Sequence, residues 1–261
     1  MNIGLSSASF YPTVNTEESI KIMKSIGFDI GEIFLNTESE YEKKFINILL
    51  KEKKKYKFNI NSIHCYSSMF EPYLFDKYER RRKDVIKTFK KACKAAKLLE
   101  AKCYTFHGPR YMGQNIDIDH VLNIYRELVY IAMENNIYLC QENVSWCQSS
   151  DINFIRLLKS EIKELRYTLD LKQAFKANVE PIDYIDIMGK DLKNFHINDK
   201  NENESCLLPT KGNIDYKKIF MKLKDIKYEG NAIIEVYREN FNSYEELRES
   251  KENLEEIYKN I

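Results

Sequence analysis

Four residues of this chain have the types and spacing of a metal centre. Glu142, Asp170, His196 and Glu235 each close a short apolar run, and successive members are 28, 26 and 39 residues apart. Each gap is about one strand-plus-helix unit, so the four side chains are expected from four consecutive strands. A carboxylate carried to the end of a buried strand needs a partner. Three carboxylates and an imidazole converging on one point repel each other unless a cation lies among them, and a divalent ion bound by oxygens and one nitrogen resolves that conflict. Taken singly, each has a plainer reading: a strand-end glutamate as an ion pair or helix cap, His196 as a satisfied core histidine. The joint pattern points to an ion.

The elements that must position these residues are short apolar runs alternating with long amphipathic ones. Strands are expected at Asn2–Ser6, Ile30–Leu35, Ile60–Cys65, Cys103–His107, Tyr138–Glu142, Arg166–Leu171, Asn194–Ile197 and Ala232–Val236, rich in Ile, Tyr, Phe and Val as buried parallel strands are. Helices are expected from Thr16 to Gly27 and over Glu40–Lys55, Tyr78–Leu99, Ile118–Glu134, Ile152–Ile162, Ile182–Met188, Tyr216–Lys224 and Tyr244–Lys259. Eight strand–helix units in one chain predict a single-domain (β/α)8 barrel over residues 1–261, with its active site at the C-terminal strand ends. His64, His107 and the pair Glu142-Asn143 fall at those ends too, whereas His120, the remaining histidine, falls in a helix. No G-x-G-x-x-G follows the first strand and no P-loop motif occurs, so dinucleotide and P-loop chemistry lack their signals.

Composition narrows the partners. Lys+Arg is 41 against Asp+Glu 40, a formal net charge of +1, which argues mildly against a nucleic-acid partner. The run Arg80-Arg81-Arg82-Lys83 reads as a solvated helix face. No apolar stretch approaches the ~18 residues of a membrane span. The start MNIGLSSASFYP lacks a signal-peptide pattern, and the six cysteines include no C-x-x-C pair. The expectation is a cytoplasmic protein with reduced, mostly buried thiols and no membrane partner.

With these residues in place the chain resembles the xylose isomerase-like TIM barrels, the superfamily of sugar (phosphate) isomerases and epimerases that also holds the endonuclease-four type of DNA repair enzyme. The resemblance runs through Gly27-Phe28-Asp29, Glu32, His64, His107-Gly108-Pro109, Glu142-Asn143, Asp170, His196-Ile197-Asn198-Asp199, the loop from Leu208 to Asp215, and Glu235. It implies one Mn, Co, Mg or Zn ion held by Glu142, Asp170, His196 and Glu235, with Glu142 and Glu235 as the catalytic acid/base pair. It also implies a small keto-sugar or polyol derivative as substrate, its carbonyl and neighbouring hydroxyl polarised by the metal. One glutamate removes the α-proton to give an enediolate, and the other returns a proton from the opposite face.

The chain departs from the family at two points. Gln173, a candidate substrate-binding residue, stands where many relatives have a histidine three residues after the strand-six aspartate. Glu204-Ser205-Cys206 stands where the repair enzymes have Asp-x-His, which weakens a three-metal phosphodiesterase site. An abasic endonuclease is therefore the least favoured alternative, behind a dehydratase of an inosose or dehydroshikimate-like acid. His64 and His107 are expected to bind substrate oxygens or pack in the mouth; with Glu142 they are also the positions of a second metal in the repair type. Arg110 and Arg238 are candidate anion anchors, or surface ion pairs. Trp146 and the aromatic loop Tyr66–Phe75 are a candidate sugar-stacking lid, or simply rim cover. The loops Lys200–Asn213 and Tyr237–Ser243 are not glycine-rich, which favours a substrate without phosphate. Neither the sugar nor the oligomeric state can be read from the sequence.

Overall fold

The computed structural model describes residues 1–66, 70–113 and 116–261. Eight strands pair in chain order into a closed parallel barrel: β1 (Ile3–Ser6), β2 (Ile30–Leu35), β3 (Asn59–Cys65), β4 (Cys103–Phe106), β5 (Tyr138–Glu142), β6 (Arg166–Asp170), β7 (Leu192–Ile197) and β8 (Asn231–Ile234). The ring shuts where Ile3, Gly4 and Leu5 of β1 pair with Ala232, Ile233 and Ile234 of β8. Around it run α1 (Thr16–Ser25), α2 (Lys43–Tyr56), α3 (Glu79–Leu99), α4 (Ile118–Glu134), α5 (Ile152–Glu161), α6 (Leu171–Lys176), α7 (Pro181–Met188), α8 (Tyr216–Asp225) and α9 (Tyr244–Lys259). The expected (β/α)8 architecture is therefore observed, with strand ends within two residues of those expected.

Strand alternation sorts the side chains into two environments. In β4, Tyr104 and Phe106 face outward and are fully buried against Phe89 of α3, at ring-centroid distances of 5.5 and 6.1 Å. Burial of each such ring stabilises the layer by roughly 1.5–3 kcal/mol. Thr105 and His107, one residue on in each case, turn into the barrel. The same period places Ser62 and His64, Thr168 and Asp170, and Asn194 and His196 in two stacked interior layers. The lower layer is polar and gathers around the Glu32 carboxylate. Asn194 Nδ2 lies 3.0 Å from Glu32 Oε2 and 3.1 Å from Thr105 Oγ1, and Ser62 Oγ donates to Glu32 Oε2 at 2.6 Å. The β2–β3 register shifts between Gly31 and Glu32. Such a bulge re-aims the side chain that follows it, here Glu32, toward the barrel axis.

Two expected elements differ in detail. The helix expected from Glu40 begins instead as a 3-10 turn (Glu38–Tyr41), because Glu40 accepts hydrogen bonds from the Asn36 amide and the Thr16 hydroxyl. The sixth strand stops at Asp170 rather than Leu171. Asp170 caps α6, accepting from the Gln173 amide at 2.9 Å, so the chain turns helical at once. A six-residue helix is too short to show a helical period, and the sequence reading did not anticipate it. The Arg80–Lys83 run is a solvated face, with Arg81 paired to Asp76 and Lys83 to Glu79.

Gly108, directly after the inward-facing His107, has φ +82°, and a Cβ there would sit 2.5 Å from the Tyr125 hydroxyl and 2.8 Å from Gln141 Oε1. Gln141 Nε2 in turn donates to the carbonyls of His107 and Glu142, tying the ends of β4 and β5 together. Gly108→Ala combines a left-handed backbone with a displaced clamp. It is expected to destabilise the fold by about 2–4 kcal/mol. Urea unfolding checks this, and an unchanged midpoint contradicts it.

Candidate metal centre

The four strand-end residues meet in the barrel mouth. Glu142 and Asp170 are the last residues of β5 and β6, and His196 is the penultimate residue of β7. Glu235 lies one residue past β8, where its amide still donates to the Ile197 carbonyl at 3.1 Å. His196 Nδ1 lies 3.2 Å from Glu142 Oε1, 3.4 Å from Glu235 Oε2 and 3.8 Å from Asp170 Oδ2. All four residues are buried, Glu235 the least so at 9% exposure. Glu142 Oε2, Asp170 Oδ2 and Glu235 Oε2 are each buried without a hydrogen-bond partner.

Orphaned carboxylate oxygens in a dry site are costly, by several kcal/mol per ion once relaxation is included. A set of three carboxylates and one imidazole suits a hard or borderline divalent ion. Ligands about 2.1 Å from such an ion lie about 3.0–3.5 Å from each other, close to the spacing around His196 Nδ1. The residues present therefore fit a divalent cation.

Behind His196 is a carboxylate the sequence reading had placed in the family motif without giving it a role. Glu32 Oε2 lies 3.1 Å from His196 Nε2 and is held by Ser62, Thr105 and Asn194. A carboxylate on the far nitrogen fixes the ring tautomer and leaves the near nitrogen to face the ligand cluster. Burial pushes the Glu32 carboxyl up, but His196 and His64 outweigh it and hold it well below the usual range. Glu235 is likewise held at about 2 by His196, His64 and Lys172 against the upward push of burial.

The two further strand-end histidines line the rim of the same cluster. His64 Nε2 and His107 Nε2 are 2.8 Å apart, and His107 Nε2 lies 3.0 Å from Glu142 Oε2. His64 Nδ1 lies 3.6 Å from Glu32 Oε1 and 3.8 Å from Glu235 Oε2. Burial pushes the His64 imidazolium toward losing its proton, but Glu235 and Glu32 reverse this and lift its pKa to about 10. His64, His107 and Glu142 also form a set with ligand atoms within 4.8 Å of one another, as do Glu32, His196 and Glu235.

The other sequence candidates are placed less centrally. Trp146 stands edge-on to His107 at 5.4 Å between ring centroids and is part-exposed on the rim. Gln173 turns its Oε1 to the amide and hydroxyl of Ser145 at 3.0 and 2.8 Å, bracing the loops after β5 and β6. Arg238 donates to the Phe241 carbonyl at 2.8 Å and lies over the Phe241 ring, which draws its guanidinium toward the loop after β8. Arg110 is exposed, its backbone bridged to Cys147. Of the aromatic loop 66–75, residues 67–69 lie outside the described residues. Within the rest, Glu71 is fully buried and accepts from the His107 amide and the Tyr104 hydroxyl, both at 2.8 Å. His120 is far from the cluster in role, its Nε2 lying 3.1 Å from the Phe75 carbonyl oxygen.

The sequence reading overlooked Lys172, a 3%-exposed lysine whose Nζ lies 3.6 Å from Glu235 Oε1 and 3.8 Å from Asp170 Oδ2. It stands two residues after Asp170 in the six-residue helix that the sequence pattern does not announce.

Comparison with known proteins gives the setting. The family model described as xylose isomerase-like TIM barrel matches residues 20–259. A Methanocaldococcus jannaschii protein described as uncharacterized protein MJ1311 is 26% identical over 249 residues, covering 90% of this chain and 83% of that protein. Among solved structures, a D-tagatose 3-epimerase-like protein superposes with TM-score 0.82 at 23% identity, covering 99% of this chain and 97% of the other. The IOLI protein with a binding zinc atom superposes with TM-score 0.80 at 16% identity, covering 100% and 99%. At these identities the structural likenesses are likenesses of fold.

Proposed function

The chain belongs to the xylose isomerase-like TIM barrels, and from that premise we propose that it is a divalent-metal-dependent sugar isomerase or epimerase acting on a small keto-sugar or polyol derivative. The observation that carries this reading is the buried cluster in which three carboxylates, two from consecutive strands and one from just past a third, surround His196 Nδ1 at 3.2–3.8 Å, each with an oxygen that has no hydrogen-bond donor. The D-tagatose 3-epimerase-like structure and the zinc in the IOLI structure support it by showing what this fold accommodates elsewhere.

Glu142, Asp170, His196 and Glu235 would hold the ion, which supplies, when bound, Lewis-acid polarisation of a substrate carbonyl. The acid/base work falls to Glu142 and Glu235. They come from β5 and from just past β8, with two strands between, so they reach the centre of the mouth from well-separated directions. One carboxylate takes the proton from the carbon α to the carbonyl, the C–H electron pair forms the C=C bond, and the carbonyl π pair moves onto oxygen to give an enediolate. Return of a proton from the other carboxylate to the opposite face inverts that carbon, and return to the neighbouring carbon moves the carbonyl. His64 and His107 stand at the rim, where their ring nitrogens can hydrogen-bond substrate hydroxyls, and Trp146 offers a face for the sugar's C–H surface.

The test is elemental analysis of the purified protein followed by deuterium wash-in from solvent over a panel of keto-sugars with Mn, Co, Mg or Zn added. About one divalent ion per chain and exchange at an α-carbon are expected. A protein that takes up no divalent ion, or that releases water to give an absorbing enone instead of exchanging and reprotonating, overturns the isomerase reading.

A further inference from the structure

Lys172 is a buried lysine whose Nζ makes no hydrogen bond to any of the described residues. It is the second residue of α6, 3% exposed, with Nζ 4.7 Å from the Tyr237 ring centroid. Its two ion-pair contacts, Glu235 Oε1 at 3.6 Å and Asp170 Oδ2 at 3.8 Å, are beyond hydrogen-bond length. A lysine carries three N–H donors. Coulombic attraction keeps the charge in place but takes none of those donors as a hydrogen bond, so they remain available to an oxygen entering the mouth. A lysine kept only as a structural counter-ion would be expected to close to about 2.8 Å on one of its carboxylates.

The surroundings say what the donors await. Asp170 Oδ2 lies 3.8 Å from both Lys172 Nζ and His196 Nδ1, so one oxygen is shared between the lysine and the proposed ion site. Glu235 is turned similarly, Oε1 toward Lys172 and Oε2 toward His196. Lys172 therefore flanks the ligand cluster. It lies against the Tyr237 ring and beside Glu235, the least buried of the four carboxylate and imidazole residues.

We propose that Lys172 is an oxyanion-binding group of this site. Its ammonium donates to an oxygen of a ligand whose neighbouring oxygen faces the ion, which selects molecules presenting two adjacent oxygens that carry or develop negative charge. This rests on the isomerase reading, where the oxygens would be those of the enediolate, and it adds a fixed positive charge where charge develops in the transition state. No proton leaves the lysine. The C–H electron pair still forms the C=C bond, the carbonyl π pair goes to oxygen, and the proton goes to a glutamate.

The probe is oxalate, a planar dianion with adjacent oxygens, titrated calorimetrically into Mn-loaded wild type and Lys172→Met, with Mn content and Mn affinity measured on the same samples. Oxalate is expected to bind the variant about 10- to 100-fold more weakly, the worth of a charge-assisted hydrogen bond, with Mn content unchanged. Equal oxalate affinity in the two proteins with Mn intact overturns the role of Lys172 and leaves the isomerase reading standing. Failure of the wild type to take up Mn removes that reading and this one with it. Methionine is unbranched and one atom shorter than lysine and should be accommodated, because the ion shares the two carboxylates' charge. If Lys172→Met does not fold, Lys172→Gln makes the same comparison, a tenfold loss supporting the proposal and a loss under threefold overturning it.

Discussion

Replacing Glu142 or Glu235 with Gln is expected to lower turnover about 100- to 10,000-fold, the usual worth of an acid/base step, in a protein that still folds and holds part of its metal. Glutamine keeps the length of the side chain and one carbonyl-type oxygen for the ion but cannot take a proton. The two variants are not expected to fail in the same way. Whichever glutamate removes the α-proton is needed for any solvent exchange at that carbon, so its Gln variant loses exchange and turnover together. The partner's variant loses turnover yet keeps some exchange, since the first proton can leave and return on one face. The neighbourhood also separates them. Glu142 is 1% exposed and lies within 3.0–3.2 Å of His107 and His196, whereas Glu235 is 9% exposed and has Lys172 beside it. Glu142→Gln therefore disturbs a tighter cluster and should cost more thermal stability. Deuterium exchange and product formation, followed on the same samples with metal content, test all of this. Near wild-type epimerisation by both variants with metal bound would sink the two-glutamate mechanism and shift the acid/base work to His64 and His107.

The sequence disclosed the barrel because each strand is a short apolar run and each helix an amphipathic one, and those periods survive folding unchanged. It also disclosed where Glu142, Asp170, His196 and Glu235 would stand, since a polar residue ending a buried strand has one place to go in a (β/α)8 barrel. What it concealed depends on side-chain direction and on short elements. Glu32 sits inside a strand at a register shift, and only the bulge determines that its carboxylate meets His196 from behind. Lys172 depends on a six-residue helix capped by the very aspartate that was expected to be only a ligand. Gln173 and Arg238 have the polar chemistry of substrate anchors, but Ser145 and Phe241 engage them at 2.8 Å, contacts between loops that no spacing rule announces. The polar lower layer of Ser62, Thr105 and Asn194 reads in sequence as ordinary strand interior. Its meaning emerges only when β3, β4 and β7 face one another around the Glu32 carboxylate.

Loss of His196 should be the most damaging single change to metal binding, and Glu32 supplies the graded control. His196→Ala removes the one nitrogen of the ligand set and leaves Glu142, Asp170 and Glu235 facing each other. It also strips Glu32 of its 3.1 Å imidazole partner, leaving a fully buried carboxylate with His64 and three neutral donors. Breaking a buried pair from one side costs about 3–5 kcal/mol, so the variant should be both metal-poor and less stable in chelator. Glu32→Gln leaves every ligand in place and removes only the charge that orients the His196 ring. Loss of such an outer partner typically weakens metal binding about 10- to 100-fold, so this variant should fall between wild type and His196→Ala. His120→Ala touches only the Phe75 carbonyl contact and should retain the wild-type metal content. Chelator competition on the four proteins, read as bound metal per chain, gives the order directly. Retention of metal by His196→Ala equal to that of His120→Ala would remove His196 from the ligand set. Equal affinity in Glu32→Gln and wild type would leave Glu32 as a purely structural partner of Ser62, Thr105 and Asn194.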